Sequence, residues 1–283
     1  MDLVRGIAGK ARNGLSRFRP SPEPDIFHLF FSGKHNEVAE TFSTQSPDSW
    51  SVEDLHCVVA SLATLGQDTS SVLARIPAPL THEEFEAELL SQLRMEDAYS
   101  TNGLLSQPRY LHKSLLAAAL GLRAGKGSFV ETGTYTGESL FKISSLFEHL
   151  WTVEASPVLH EAARQLFTGK GITNITQSLG DSRELLANLD SETLNGAVVF
   201  LDAHYSTGIT SREYGSCPVI EEIHIILDRS SEALIVVDDL RTMNGKDGYP
   251  TLKDLFSALP NTLRVQVAFD QLIIGKAWLQ DLV

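Results

Sequence analysis

The order of apolar runs and glycine turns predicts an α/β fold: an open, mostly parallel, seven-stranded sheet with helices on both faces. Three observations carry that prediction. Residues 128–140 read SFVETGTYTGESL, an apolar run, an acid, two glycines four apart, then a helix-like run. Residues 197–201 (AVVFL) and 233–237 (ALIVV) are almost purely apolar, as strands buried on both faces require. Each of these two runs stops at aspartate, Asp202 in the first and Asp238-Asp239 in the second. A smaller all-helical region precedes the sheet.

Residues 1–20 form a basic tail, in which Arg5, Lys10, Arg12, Arg17 and Arg19 face only Asp2. Ser21-Pro22-Glu23-Pro24 ends it. Residues 21–101 read as helices with short breaks. Gly33 and Gly66 stand 33 residues apart, each between helical halves. That period resembles tetratricopeptide-like helix pairs. A small cap packed on the next domain is the other reading, and the stronger one, because two units are too few for a solenoid. Docking of a protein partner or a second copy through these helices stays open. Thr81 and Glu84 have the spacing of a capping box.

The sheet domain is placed at 102–283. A helix over Tyr110–Leu122 precedes the first strand, and Leu150–Ala155 is the second, ending in Glu154. Glu154 lies 21 residues after Gly133, where an acid can accept hydrogen bonds from a ribose diol or simply begin a helix at Ser156-Pro157. Ile172–Ser178 is the third strand, followed by Gly180-Asp181-Ser182 and a helix over Glu184–Leu189. A helix over Pro218–Leu227 links the two apolar strands and another spans Tyr249–Leu259. Arg264–Ala268 and Gln271–Gly275 close the sheet as a hairpin about Phe269-Asp270.

The sequence VETGTYTGESL resembles the first motif of the class I methyltransferases that depend on S-adenosylmethionine (SAM). It is most similar to the metal-dependent O-methyltransferases of the catechol and caffeoyl-CoA type, which share the glycine, tyrosine, glycine and serine at these spacings. The resemblance covers about Asn102 to Val283 and implies a Rossmann-like fold. It implies that Glu131, Gly133, Tyr135, Gly137 and Ser139 surround the methionine end of SAM and that Glu154 takes its ribose. Asp181 and Ser182 would meet the adenine, although the same pair caps helices readily.

Those enzymes hold a divalent cation with an Asp after the fourth strand and an Asp-Asn pair after the fifth. The resemblance therefore implies Mg²⁺ on Asp202, Asp238 and Asp239, with Asp in place of the Asn. A second departure is the general base, a lysine in those enzymes, for which this chain has Tyr205 with His204 beside it. His204 is read as the base; metal ligand and structural histidine are the alternatives. The polar loop from Tyr205 to Cys217 suits a small polyhydroxylated, sugar-like acceptor. The rival readings are a metal-dependent hydrolase and a non-catalytic SAM-fold binding protein.

The formal net charge of -13 argues against a nucleic-acid face. Cys57 and Cys217 stand in no metal or redox spacing and fit a reducing cytoplasm. No apolar run has membrane-spanning length, and the N-terminus lacks a signal-peptide core.

Overall fold

A computed structural model describes residues 25–45, 50–99, 112–202 and 217–276. The basic tail, most of the loop before the first sheet-domain helix, His204 and the polar loop after it lie outside the described residues. Helices α1 (Ile26–Phe31), α2 (His35–Thr44), α3 (Val52–Thr64), α4 (Ser70–Leu73) and α5 (His82–Tyr99) come first. Their starts are set by local chemistry. Asp25 accepts from the Phe27 amide, and Ser51 and Asp54 form a capping box on α3. Thr81 and Glu84 bond reciprocally at the start of α5, as their spacing predicts.

Helix α6 (Lys113–Arg123) leads into β1 (Ser128–Thr132), followed by α7 (Glu138–Ile143) and β2 (His149–Glu154). Then come α8 (Pro157–Gly169), β3 (Ile175–Leu179), α9 (Ser182–Asn188), α10 (Ser191–Asn195) and β4 (Ala197–Leu201). Helix α11 (Val219–Arg229), β5 (Leu234–Val237), a 3₁₀ turn (Leu240–Thr242), α12 (Leu252–Ser257), β6 (Arg264–Ala268) and β7 (Gln271–Gly275) complete the chain. The seven strands lie in the order β3-β2-β1-β4-β5-β7-β6, with β1 to β5 parallel and β7 antiparallel to both neighbours. This is an open, mostly parallel, Rossmann-like sheet. Strand order reverses between β1 and β4, where open α/β sheets bind their ligands.

Alternation along the strands divides the core. Val198 and Phe200 of β4 face one apolar cluster with Phe129, Leu150 and Val236. Ala197, Val199 and Leu201 face the other, against α9 to α12. Helices α1 to α5 belong to the first cluster, and α3 lies along α8.

Predicted boundaries shift at β3 and α12, and one short helix appears that the sequence pattern does not predict. β3 starts at Ile175 rather than Ile172, because Ile172 and Asn174 are spent on the turn. The Ile172 amide closes the end of α8 on the Phe167 carbonyl, and the Asn174 amide bonds the Ser144 and Phe147 carbonyls. α12 starts at Leu252 because Thr251 and Asp254 make a capping box there, leaving Tyr249 and Pro250 in the approach. Helix α10, capped by Asp190, has too short an apolar pattern to be read from sequence. Both cysteines are free, and no helix among the described residues is long and apolar enough to cross a membrane.

Candidate functional site at the carboxyl edge of the sheet

The turn after β1 is built by its two glycines. Gly133 and Gly137 take φ of 88° and 82°, which side chains rarely tolerate. At Gly137 a Cβ would stand 2.8 Å from Phe167 Cζ and 3.1 Å from the Ala163 Cβ, both on α8. The amides of Gly133 and Thr134 donate to the Val153 carbonyl, and the Thr134 and Thr152 hydroxyls bond at 2.6 Å. The turn is thus locked to the end of β2.

Glu131, which ends the apolar stretch of β1, is fully buried, and its Oε2 has no hydrogen-bond partner. Burial pushes its carboxyl well above the usual range, and the charges of Asp202, Glu154 and Asp238 push the same way. Four carboxylates from the tips of β1, β2, β4 and β5 therefore share one region. Asp202 is pinned there by its amide, which donates to the carbonyl and hydroxyl of Thr132 at 3.1 and 3.2 Å.

Glu154 accepts from the Tyr135 amide at 2.8 Å and from the Ser156 amide at 2.9 Å. It braces the glycine turn and the start of α8, with the Ala155 and Thr134 amides directed at it as well. Tyr135, at φ 51°, contributes backbone here; its ring meets Phe30 of α1 edge-on at 6.0 Å. The Tyr135 ring thus packs against the core that the helical region shares with the sheet. Its hydroxyl is buried without a partner.

After β3 the helix-cap reading describes Asp181. It accepts from the Arg183 amide at 2.9 Å and from the Arg183 guanidinium at 2.6 to 3.0 Å. Burial opposes the charge, but Arg183 outweighs it and holds the carboxyl below its ordinary value. Ser182 is buried and turned to Glu222 of α11, which it hydrogen-bonds together with Thr132. Glu222 was legible as an anomaly, an acid on the apolar stripe of Val219, Ile223 and Ile226.

At the tip of β5 the structure adds a residue that spacing could not supply. Lys113, the first residue of α6, places Nζ 2.7 Å from Asp238 Oδ1, against Asp239 Oδ1, and 3.4 Å from Asp270 Oδ2. Arg241 pairs Asp239 at 2.6 Å and also pairs Asp270, which is fully buried in the β6–β7 turn. Burial alone would lower the Lys113 ammonium's pKa, but Asp238 and Asp239 outweigh it and raise it. Burial pushes Asp238 up to about 7, with Asp202 adding to it and Lys113 opposing. At 2.7 Å the contact is an ion pair, with the proton on Lys113.

This arrangement does not fit a divalent ion on Asp202, Asp238 and Asp239, and that expectation is corrected. Asp238 and Asp239 already hold an ammonium, and Asp239 a guanidinium as well. Among the described residues no group of three His, Cys, Asp or Glu side chains is disposed to hold a metal.

No family model and no curated protein matches the chain. Among solved structures it is similar to the O-methyltransferase TomG of Streptomyces achromogenes, solved with SAM, at 16% identity. That match covers 69% of this chain and 99% of the other, at a TM-score of 0.43. Cofactor-bound Rv0187 from MTB is 19% identical over 67% and 89% of the two chains, at a TM-score of 0.41. An O-methyltransferase of Bacillus cereus, in complex with SAH, is 14% identical over 73% and 96%, also at 0.41. At these identities and TM-scores the likenesses carry no functional weight, and the fold stands on its strand order.

Proposed function

We propose that this chain is a SAM-dependent O-methyltransferase acting on a small, polyhydroxylated acceptor. The observation that carries the reading is Glu131: a buried acid with a partnerless oxygen, among three further carboxylates, at the reversal point of the sheet. Such a place favours a cationic ligand held close to backbone. SAM, with an ammonium and a sulfonium, has that character, and it supplies a methyl group activated for attack by oxygen. Glu131 holds the ammonium, the backbone of residues 133–137 and Ser139 line the methionine end, and Glu154, at the tip of β2, takes the ribose. Asp181 stands at the adenine side. His204 takes the proton from the acceptor hydroxyl, and Asp202 orients that hydroxyl at the edge of β4. Positioning supplies most of the rate in such a transfer. The sugar-like acceptor follows from the polar composition of residues 205–217.

The test is calorimetry with S-adenosylhomocysteine and NAD. The former is expected to bind and the latter not. Glu131→Gln, which keeps the shape and removes the charge, is expected to weaken binding about 10- to 100-fold, the loss of one charge-assisted hydrogen bond. NAD binding, or unchanged affinity in Glu131→Gln, overturns the assignment. A screen of labelled methyl transfer to sugars, catechols and carrier-bound hydroxyls then identifies the acceptor class.

A further inference from the structure

We infer that Lys113 is the resident cation of the β4–β5 edge: its ammonium fills the carboxylate cluster that would otherwise take a divalent ion, so this chain binds none there. The ammonium is surrounded rather than merely paired. Asp238, Asp239 and Asp270 approach it from the tip of β5 and from the β6–β7 turn. The Lys113 side chain is 11% exposed, and Asp238 and Asp270 are buried. Its backbone is fixed as well, because the Gln271 side-chain amide donates to the Lys113 carbonyl at 3.2 Å and to Asp238 Oδ1 at 3.4 Å. Helix α6 behind it is seated in the core through Leu115, Ala117 and Ala118. Arg241 supplies the second cation to Asp239 and Asp270. The carboxylates thus have fixed partners, and the ammonium cannot leave without abandoning buried charge.

Lys113 acts as a positioning residue. It ties the helix before β1 to the tip of β5 and the closing hairpin, and sets the orientation of the acids that face Asp202. The inference rests on these contacts and on no particular reaction. Only its corollary, that methyl transfer requires no added metal, rests on the proposed function.

The test is Mn²⁺ binding by the full chain, followed by paramagnetic resonance and calorimetry, with the wild type, Lys113→Met and Asp238→Asn. The wild type is expected to bind Mn²⁺ no more tightly than about 1 mM, the weak end of the affinities of carboxylate cation sites. Lys113→Met leaves Asp238 and Asp239 short of one cation and is expected to bind Mn²⁺ at least about tenfold more tightly, an effect a purely structural lysine would not give. Saturable Mn²⁺ binding by the wild type that Asp238→Asn abolishes overturns the inference, and that measurement stands even if Lys113→Met fails to fold. Unchanged Mn²⁺ affinity in a folded Lys113→Met overturns it too. Failure of S-adenosylhomocysteine to bind would strike the proposed function and leave this result untouched.

Discussion

Glu222 shows what one buried charge does to the molecule. It is 1% exposed on α11, its Oε1 has no partner, and burial raises its carboxyl to about 7, against partial relief from the Ser182 and Thr132 hydroxyls. The folded state therefore holds this proton more tightly than the unfolded chain. Between about pH 4.5 and 7 the folded state carries more protons, so the group's contribution to stability falls as pH rises through that window. The full difference is on the order of 3 kcal/mol. Glu222→Gln keeps an acceptor for the two hydroxyls and removes the titration. It is expected to be more stable than wild type by about 1–3 kcal/mol at pH 8 and indistinguishable near pH 4. Urea unfolding of both proteins at the two pH values reads this directly; equal destabilisation at both would show that Glu222 matters for shape alone. Lys113 is the opposite kind of case. Nothing in its sequence neighbourhood marks it, because its partners are Asp238, Asp239 and Asp270, brought to it by the sheet.

Among the elements, β4 and β7 run over the residues their patterns predict, because a strand buried among neighbours is apolar along most of its length, and the edge strand β6 does so through the hairpin turn at Phe269-Asp270 that fixes its end. The elements that moved, β3 and α12, are bounded by caps and turns whose bonds reach residues distant in sequence or compete locally. The site divides in the same way. Acids at strand tips are legible, because topology alone brings them to one edge. Side-chain direction at Tyr135 and Ser182 was not, since Phe30 and Glu222 decide it from other elements. Helix α3 carries a further consequence of burial. His56 is 2% exposed with neither ring nitrogen partnered, 6.1 Å from the Phe141 ring. Burial lowers it to about 4, with Glu138 opposing and Lys142 and Lys170 adding to the shift. Between pH 4 and 6.5 the unfolded chain binds the proton and the folded one does not, so stability is lost as pH falls through that window. The slope is opposite to that of Glu222. His56→Phe is expected to flatten the acid limb by up to roughly 3 kcal/mol. Melting curves from about pH 7 down to 4.5 test it; an unchanged acid limb would mean the ring finds a partner in solution.

At the scale of the whole molecule, the helical region and the sheet share one core. A single apolar cluster runs from Ile26 through Val58, Phe141 and Phe167 to Ile273. Polar contacts stitch the same seam. The Lys170 ammonium donates to the carbonyls of Leu73 and Ile76 at 3.2 and 2.6 Å, and the Leu80 amide to the Lys142 carbonyl at 2.9 Å. The seam reaches the glycine turn itself, because Phe30 backs the ring of Tyr135, whose amide holds Glu154. A helical region that only covered the sheet could be removed without consequence for ligand binding. One that shares its core cannot. A chain of residues 102–283 would expose Phe141, Leu166 and Phe167 as a contiguous apolar face. It is expected to aggregate on size-exclusion chromatography. The milder variant Phe30→Ala in the full chain keeps the seam but opens a cavity behind Tyr135, at a cost of about 3–5 kcal/mol. With the turn loosened, S-adenosylhomocysteine affinity is expected to fall together with the melting temperature. A soluble 102–283 fragment that binds S-adenosylhomocysteine as the full chain does would separate the two regions, and would leave partner docking as the role of the helices.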